Sequence, residues 1–328
     1  MTTRLARLVP KLRGRRVLVV ADLVVDEFVI TGEPRVSREA PVLILKYRDR
    51  RFLPGGGANA AANVAALGGV PVILGEVGDD RAGKLLVEAL ERLGADTGSV
   101  LVRKGWRTPR KTRFLAGDKN VALQQVVRID RVEPRQPDAR LARLAGARAE
   151  RLARGCDAVL ASDYGLGFVT PELVARARGA AGRAPVAADS RYRLLEHAGV
   201  DVATPSEVEI EAATQRDLSA PEALERAGRE ALEALGAKAL VLTRGSQGML
   251  LFEPTRPTVA IPAHGSGSVA DVTGAGDTVI ATLTLALAAG ASYLDAAHLA
   301  NVAAGVKVTK MGTATVAPAE ILASLRSR

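Results

Sequence analysis

Short β-branched apolar runs alternate with alanine-rich helical stretches along nearly the whole 328-residue chain. This rhythm admits few architectures, because strands separated by helices pair in parallel and need both faces of their sheet covered. Arg16 to Ala21 reads as a central strand, and Gly57 to Leu67 as a helix followed by a strand at Val70 to Leu74. Asp80 to Leu93 reads as an amphipathic helix and Arg140 to Arg154 as an alanine-rich one. Further strands are expected at Ala158 to Ala161, Pro185 to Ala188, Asp201 to Ala203 and Ala239 to Thr243, and a last helix over Tyr293 to Lys310. Two stretches break the rhythm: Ala40 to Phe52 is extended, and Thr108 to Arg128 reads as strand, turn and strand around Gly117-Asp118-Lys119-Asn120. Without crossover helices they are expected to form a small antiparallel sheet, from about 33–52 and 107–128. Such a sheet is either a lid over a cleft or a plain edge extension. No repeat or linker divides the chain, so 1–328 is expected to be one domain.

Composition narrows the function. Hydrophobic residues make up 48% of the chain, enough for a large core, and the longest apolar run, about Val279 to Ala289, is too short to span a bilayer. No membrane association is expected, and with no secretory leader recognisable the expected location is the cytoplasm. The single cysteine, Cys156, excludes an internal disulfide, and His197, His264 and His298 lack metal-ligand spacing. The net charge of +9 invites a nucleic-acid reading, but arginines alternate with acids on helices and aromatics are only 3%. No specific nucleic-acid partner is expected. Gly78 to Lys84 has the spacing of a phosphate-binding P-loop, yet Leu85 stands where the metal-binding hydroxyl belongs and Asp79 and Asp80 would repel phosphate. It reads better as the turn into a helix.

The chemistry concentrates in Asp271-Val272-Thr273-Gly274-Ala275-Gly276-Asp277, which opens onto the apolar run Thr278 to Leu287. Glycines before a helix let backbone approach a ligand, and the unpaired first N–H groups with the helix dipole favour an anion. An acid at Asp277 beside a phosphate suits a base receiving a proton from an attacking hydroxyl; the plainer reading is an acid that complements the dipole. Asp22 after the first strand, and Asp26, are candidates to accept hydrogen bonds from sugar hydroxyls. Pro54-Gly55-Gly56-Gly57-Ala58-Asn59 leaves room for a ligand, and Thr243-Arg244-Gly245 suits nucleotide phosphates.

Four of these segments, near Gly55, at Val77 to Asp80, at Thr243 to Gly245 and at Asp271 to Thr278, occur in the order found in the PfkB, or ribokinase-like, carbohydrate kinases, which the chain resembles over essentially its full length. Within that family it is most similar to the heptose 7-phosphate kinases. The matching segments include Arg38 to Val42, Asn59 with Asn63, Val127 to Asp130, Ser162-Asp163-Tyr164, Thr243 to Met249 and Ala303 to Val316. The form it resembles is the stand-alone kinase.

The resemblance implies a ribokinase-like α/β fold, a central mostly parallel sheet flanked by helices with a small β-sheet lid. It implies ATP- and Mg²⁺-dependent transfer to a sugar hydroxyl, leaves room for a monovalent cation such as K⁺, and suggests a homodimer formed through the lid. Asp277 matches the catalytic base, and Gly274, Ala275 and Gly276 the anion hole. Asp22, Gly55, Gly56 and Asn59 match sugar-binding positions, and Asp26 is expected to bind substrate beside them. Thr243 and Gly245 match nucleotide-binding positions, with Asn301 and Ala304 at the adenine; Arg244 and Gly248 are expected to bind the nucleotide with them. Ser206 replaces the asparagine of an Asn-x-x-Glu, with Glu209 kept as an outer-sphere group for Mg²⁺. Asp189 and Arg191 match an Asp-Pro-Lys at the substrate. A lysine expected after Ser162-Asp163-Tyr164 is absent, since Gly165-Leu166-Gly167 follows; Arg191, Arg110 or Arg113 would have to supply its charge. Other acceptors (a ketohexose phosphate, a pentose, a nucleoside) stay open, as does a non-catalytic sugar- or nucleotide-binding relative.

Overall fold

A computed structural model describes residues 1–117, 123–133, 138–218, 220–265 and 269–326. After helix α1 (Thr2–Leu8) the strands are β1 (Arg16–Ala21), β2 (Leu23–Thr31), β3 (Arg35–Val36), β4 (Leu43–Ile44) and β5 (Tyr47–Gly56). Next come α2 (Gly57–Ala66), β6 (Val70–Gly78), α3 (Arg81–Arg92), β7 (Leu101–Arg103), β8 (Arg110–Ala116) and β9 (Gln124–Arg131). They are followed by α4 (Ala139–Ala153), β10 (Ala158–Asp163), α5 (Pro171–Ala180), β11 (Val186–Ser190), β12 (Val202–Ala203), α6 (Glu207–Thr214) and α7 (Pro221–Leu235). The chain closes with β13 (Ala239–Thr243), β14 (Met249–Phe252), β15 (Val259–Ile261), α8 (Ala275–Ala288), α9 (Tyr293–Lys307) and α10 (Pro318–Arg326).

Among the described residues the main sheet has nine strands, in the order β15-β14-β13-β12-β11-β10-β1-β6-β7. It is parallel from β13 to β7, and antiparallel only at the edge formed by β14 and β15. That edge was not anticipated, because Val259 onward reads as turn-rich. Side chains alternate across a strand, and the core divides accordingly. Val17, Val19 and Ala21 of β1 pack with α2, α8 and α9, whereas Leu18 and Val20 pack with α4, α5 and α7. Each such fully buried Val or Leu contributes roughly 1.5–3 kcal/mol. No helix among the described residues is long and apolar enough to cross a membrane.

The P-loop look-alike is a helix start: the Asp80 carboxylate caps α3 by accepting from Gly83 N at 2.8 Å. A Cβ at Gly83 would meet the Gly78 carbonyl at 2.6 Å, so the glycine permits close packing.

The small sheet exists but differs from expectation. Among the described residues it has four strands, β5-β2-β8-β9, and its central pair, β2 and β8, is parallel. The sheet is therefore mixed rather than antiparallel. It also recruits Leu23–Thr31, a mostly buried strand that begins two residues after β1 ends. Of the expected turn, Asp118 to Asn120 lie outside the described residues.

Candidate active site

Because β1, β10, β11, β12 and β13 run parallel, their carboxyl ends share one edge of the sheet, where open α/β folds bind ligands. α8 delivers its N-terminus to that edge. Gly274 precedes it with φ 79°, and a Cβ there would meet Asn59 Nδ2 at 2.5 Å, so only glycine fits. Asp277, three residues on, is buried. One of its carboxylate oxygens accepts from Asn59 Nδ2 at 2.7 Å, the other from the Tyr164 hydroxyl at 2.8 Å. Burial pushes its pKa up to about 6, against the opposing hydrogen bonds from Asn59 and Tyr164. Burial and then the Asp277 charge hold the Tyr164 phenol well above its ordinary range, so it stays a donor. A carboxylate poised there, beside a helix N-terminus, can accept a proton from a hydroxyl near neutral pH.

Two cavities meet at this turn. One, about 400 Å³, is lined by Tyr164, Asp189, Arg191, Ser206, Glu209 and Asp277 among others. The other, about 630 Å³, is lined by Gly245, Gly248, Asn301 and Ala304 among others. Thr243, Val272, Ala275 and Gly276 border both. The expected nucleotide positions other than Ser206 and Arg244 thus line the larger cavity. Arg244 lines neither, because its guanidinium pairs with Glu207 at 2.7 Å. Asn301 donates its amide to the Pro262 carbonyl at 2.8 Å. Ser206 and Glu209 form a capping box at the start of α6 while lining the smaller cavity.

Several expected roles need correction. Asp22 is not available to sugar hydroxyls: its two oxygens accept from the N–H groups of Tyr164, Leu166, Phe168 and Val169, at 2.9 to 3.3 Å. Those four bonds occupy the lone pairs of a carboxylate. They fold the 164–169 turn around Asp22, whose pKa burial raises to about 6. Asn59 is fully buried and donates to Asp277, while Asn63 donates to its backbone carbonyl and, at 3.3 Å, to its Oδ1. It orients the acid instead of facing the cavity. The Ala275 N–H is spent on the Val272 carbonyl at 3.1 Å. The amides of Gly276 and Asp277 remain in the first helical turn, where no intrahelical acceptor exists. A Cβ at Gly55 would meet the Asp26 carboxyl at 2.5 Å, so the glycine makes room for that side chain. Gly56 pairs with Leu23 as the last residue of β5, and its missing Cβ admits Val24.

Asp26 itself is buried and ion-paired with Arg113; burial raises its pKa, opposed by the Arg113 charge. Strand period explains which basic residues join it. Asp26 pairs with Lys111, so Asp26, Lys111 and Arg113 share one face, whereas Arg110 falls on the other and binds Glu27 at 3.3 Å. Lys111 was missed in the sequence. Its ammonium lies 5.4 Å from the centre of the Tyr164 ring, and burial and the Arg191 charge lower its pKa. Asp189 shows the complementary stress: burial, then Glu209 and Asp277, push its pKa well up, so a cation between these acids would relieve it. Among the described residues no three His, Cys, Asp or Glu side chains are grouped to hold a metal. That donor set suits Mg²⁺, which takes one or two carboxylates and is otherwise bound by phosphates and water.

The fold and the paired cavities define a ribokinase-like protein. Arabidopsis thaliana ribokinase complexed with ribose and ATP superposes with a TM-score of 0.74 at 22% identity, covering 95% of this chain and 99% of that one. Escherichia coli phosphofructokinase-2 in complex with potassium also gives 0.74, at 20% identity over 96% of this chain and 99% of that one. Residues 21–320 match the model of the pfkB family carbohydrate kinases, and the chain belongs to that family of phosphotransferases. It is 38% identical to the bifunctional protein HldE of Desulfatibacillum aliphaticivorans, over 95% of this chain and 63% of that protein. With HldE of Geobacter sulfurreducens the identity is 39%, over 94% of this chain and 62% of that protein. The chain thus spans a little under two thirds of the length of these relatives.

Proposed function

We propose that the chain transfers the γ-phosphoryl group of ATP to the anomeric hydroxyl of a heptose 7-phosphate, giving a 1,7-bisphosphate. The observation that carries the kinase reading is the placement of Asp277, a buried acid with a pKa near 6, on the turn where the two cavities meet. In this reading ATP occupies the larger cavity through Thr243, Gly245, Gly248, Asn301 and Ala304, as the resemblance implies. The acceptor occupies the smaller one. Gly276 and Asp277 N–H groups with the α8 dipole hold the transferred phosphoryl group. Asp277, oriented by Asn59 and Tyr164, takes the proton as the hydroxyl oxygen bonds to phosphorus and the ADP oxygen leaves. Mg²⁺, with Asp189 and Glu209 as the carboxylates lining its side of the cavity, would neutralise phosphate charge. ATP and potassium appear with the ribokinase and phosphofructokinase-2 structures, respectively, which supports the nucleotide and a monovalent cation for the family.

The phosphorylated acceptor is favoured by Lys111 and Arg191. The loop after β10 has no lysine, and these two cations stand near enough for Arg191 to depress the pKa of Lys111. Two like charges held close in a partly buried site are relieved by an anionic substrate. The test is ADP release from Mg-ATP over heptose 7-phosphates, fructose 1- and 6-phosphates, ribose, fructose and nucleosides, with Asp277→Asn as control. Heptose 7-phosphate should be turned over fastest, and the variant should bind nucleotide while losing about 10³-fold or more in turnover. Turnover on another acceptor alone would overturn the substrate, and near-normal turnover by Asp277→Asn would overturn the base.

A further inference from the structure

Lys307 ends α9 with its side chain completely buried. Its ammonium donates to the backbone carbonyl of Asp271 at 2.9 Å and to that of Lys310 at 3.4 Å. Those carbonyls belong to two separate loops: Asp271 begins the turn into α8, and Lys310 follows α9. The loops are joined further by Ala270 N and Asp271 N, which donate to the Val308 carbonyl at 2.8 and 3.2 Å. The Asp271 carboxylate accepts from Thr273 N and Gly312 N, both at 2.8 Å. Lys310 turns its own ammonium away, to Glu320 and the Thr315 carbonyl. Inside this junction, therefore, one buried cation is set against carbonyl oxygens, as a desolvated potassium ion would be. Burial lowers the pKa of Lys307, opposed by the charges of Asp271 and Asp277. Carbonyl oxygens accept only, so these partners call for a proton donor or a cation.

We propose that Lys307 is a positioning residue whose ammonium serves as a built-in monovalent cation for the Asp271–Asp277 turn, holding the turn in the shape that presents Gly276 and Asp277 to a phosphoryl group without a bound potassium ion. The role in catalysis rests on the kinase reading above; the structural role does not. Lys307 touches no substrate and acts through the Asp271 carbonyl.

The experiment compares wild type, Lys307→Ala and Lys307→Met in buffers whose monovalent cation is K⁺, methylammonium or the bulky tetramethylammonium. Wild-type turnover should agree within about twofold in all three. Lys307→Ala should lose about tenfold or more in turnover and recover with K⁺ or methylammonium, whereas Lys307→Met, which fills the space without charge, should lose as much without recovery. Acceleration of wild type by K⁺ of about tenfold, or full turnover in Lys307→Met, would overturn the proposal. If wild type phosphorylates none of the acceptors, the kinase reading fails by itself, and thermal unfolding decides the cation question. K⁺ or methylammonium, but not tetramethylammonium, should then raise the Tm of Lys307→Ala and leave wild type unchanged. Equal melting in the three buffers would overturn the built-in cation. Circular dichroism at the assay temperature separates a variant that never folded, and the wild-type comparison stands regardless.

Discussion

At the residue scale the site turns on how an ordinary aspartate is brought near neutral pKa. Burial raises Asp277, and the donors Asn59 and Tyr164 limit the rise. If Asp277 is the base proposed above, it works only when ionised, so kcat/KM should climb with pH through about 6 and then level. Tyr164→Phe removes a donor that favours the charged form, so the midpoint should move upward while the plateau falls by about tenfold. A pH–rate profile of both proteins checks this; an unmoved midpoint would take Tyr164 out of the role. The glycine-led helix start that carries Asp277 was legible in the sequence because the physics of a helix N-terminus is local. Asn59 and Asp22 were misjudged because their partners are remote, with Asn59 and Asp277 separated by 218 positions. Nothing local to Asn59 says whether its amide faces a ligand or an acid.

At the level of elements, the parallel pairing of β2 with β8 selects which cation of β8 lies over Tyr164. The extended segments were evident from Ala40 to Phe52 and Thr108 to Arg128, but their register was not. Register depends on a partner strand 85 positions away, as Glu27 and Thr112 show, and a slip of one residue would exchange Lys111 for Arg110. That is why the sequence, which offered Arg191, Arg110 or Arg113 for the missing charge, did not point to Lys111, which the structure puts beside Tyr164. Lys111→Met keeps the aliphatic stem and removes the cation. It should raise KM for a phosphorylated acceptor about tenfold or more and leave KM for ATP within about twofold. Steady-state kinetics with each substrate varied in turn checks this. An equal rise in both constants would mean that the strand had shifted and that Lys111 makes no substrate contact.

On the scale of the whole molecule, the small sheet is covered unevenly. β9 forms its edge and all eight of its residues are exposed. Val127, Ile129 and the adjoining Val132 are 46%, 55% and 42% exposed. The β3–β4 hairpin adds Val36 and Leu43, 65% and 54% exposed. An open strand edge with apolar side chains invites pairing with another chain. The family resemblance suggests what covers it: the same sheet of a second copy, in a homodimer. β8, which carries Lys111 and Arg113, has β9 as its neighbour, so an interface there would brace that pair through one strand. Ile129→Lys places a charge within such an interface without touching either cavity. Sedimentation velocity should find wild type dimeric and the variant monomeric. If the dimer braces β8, the monomer should also show a raised KM for the sugar and an unchanged affinity for ATP. A monomeric wild type would remove the interface. A monomeric variant with unaltered kinetics would keep the dimer and sever it from catalysis.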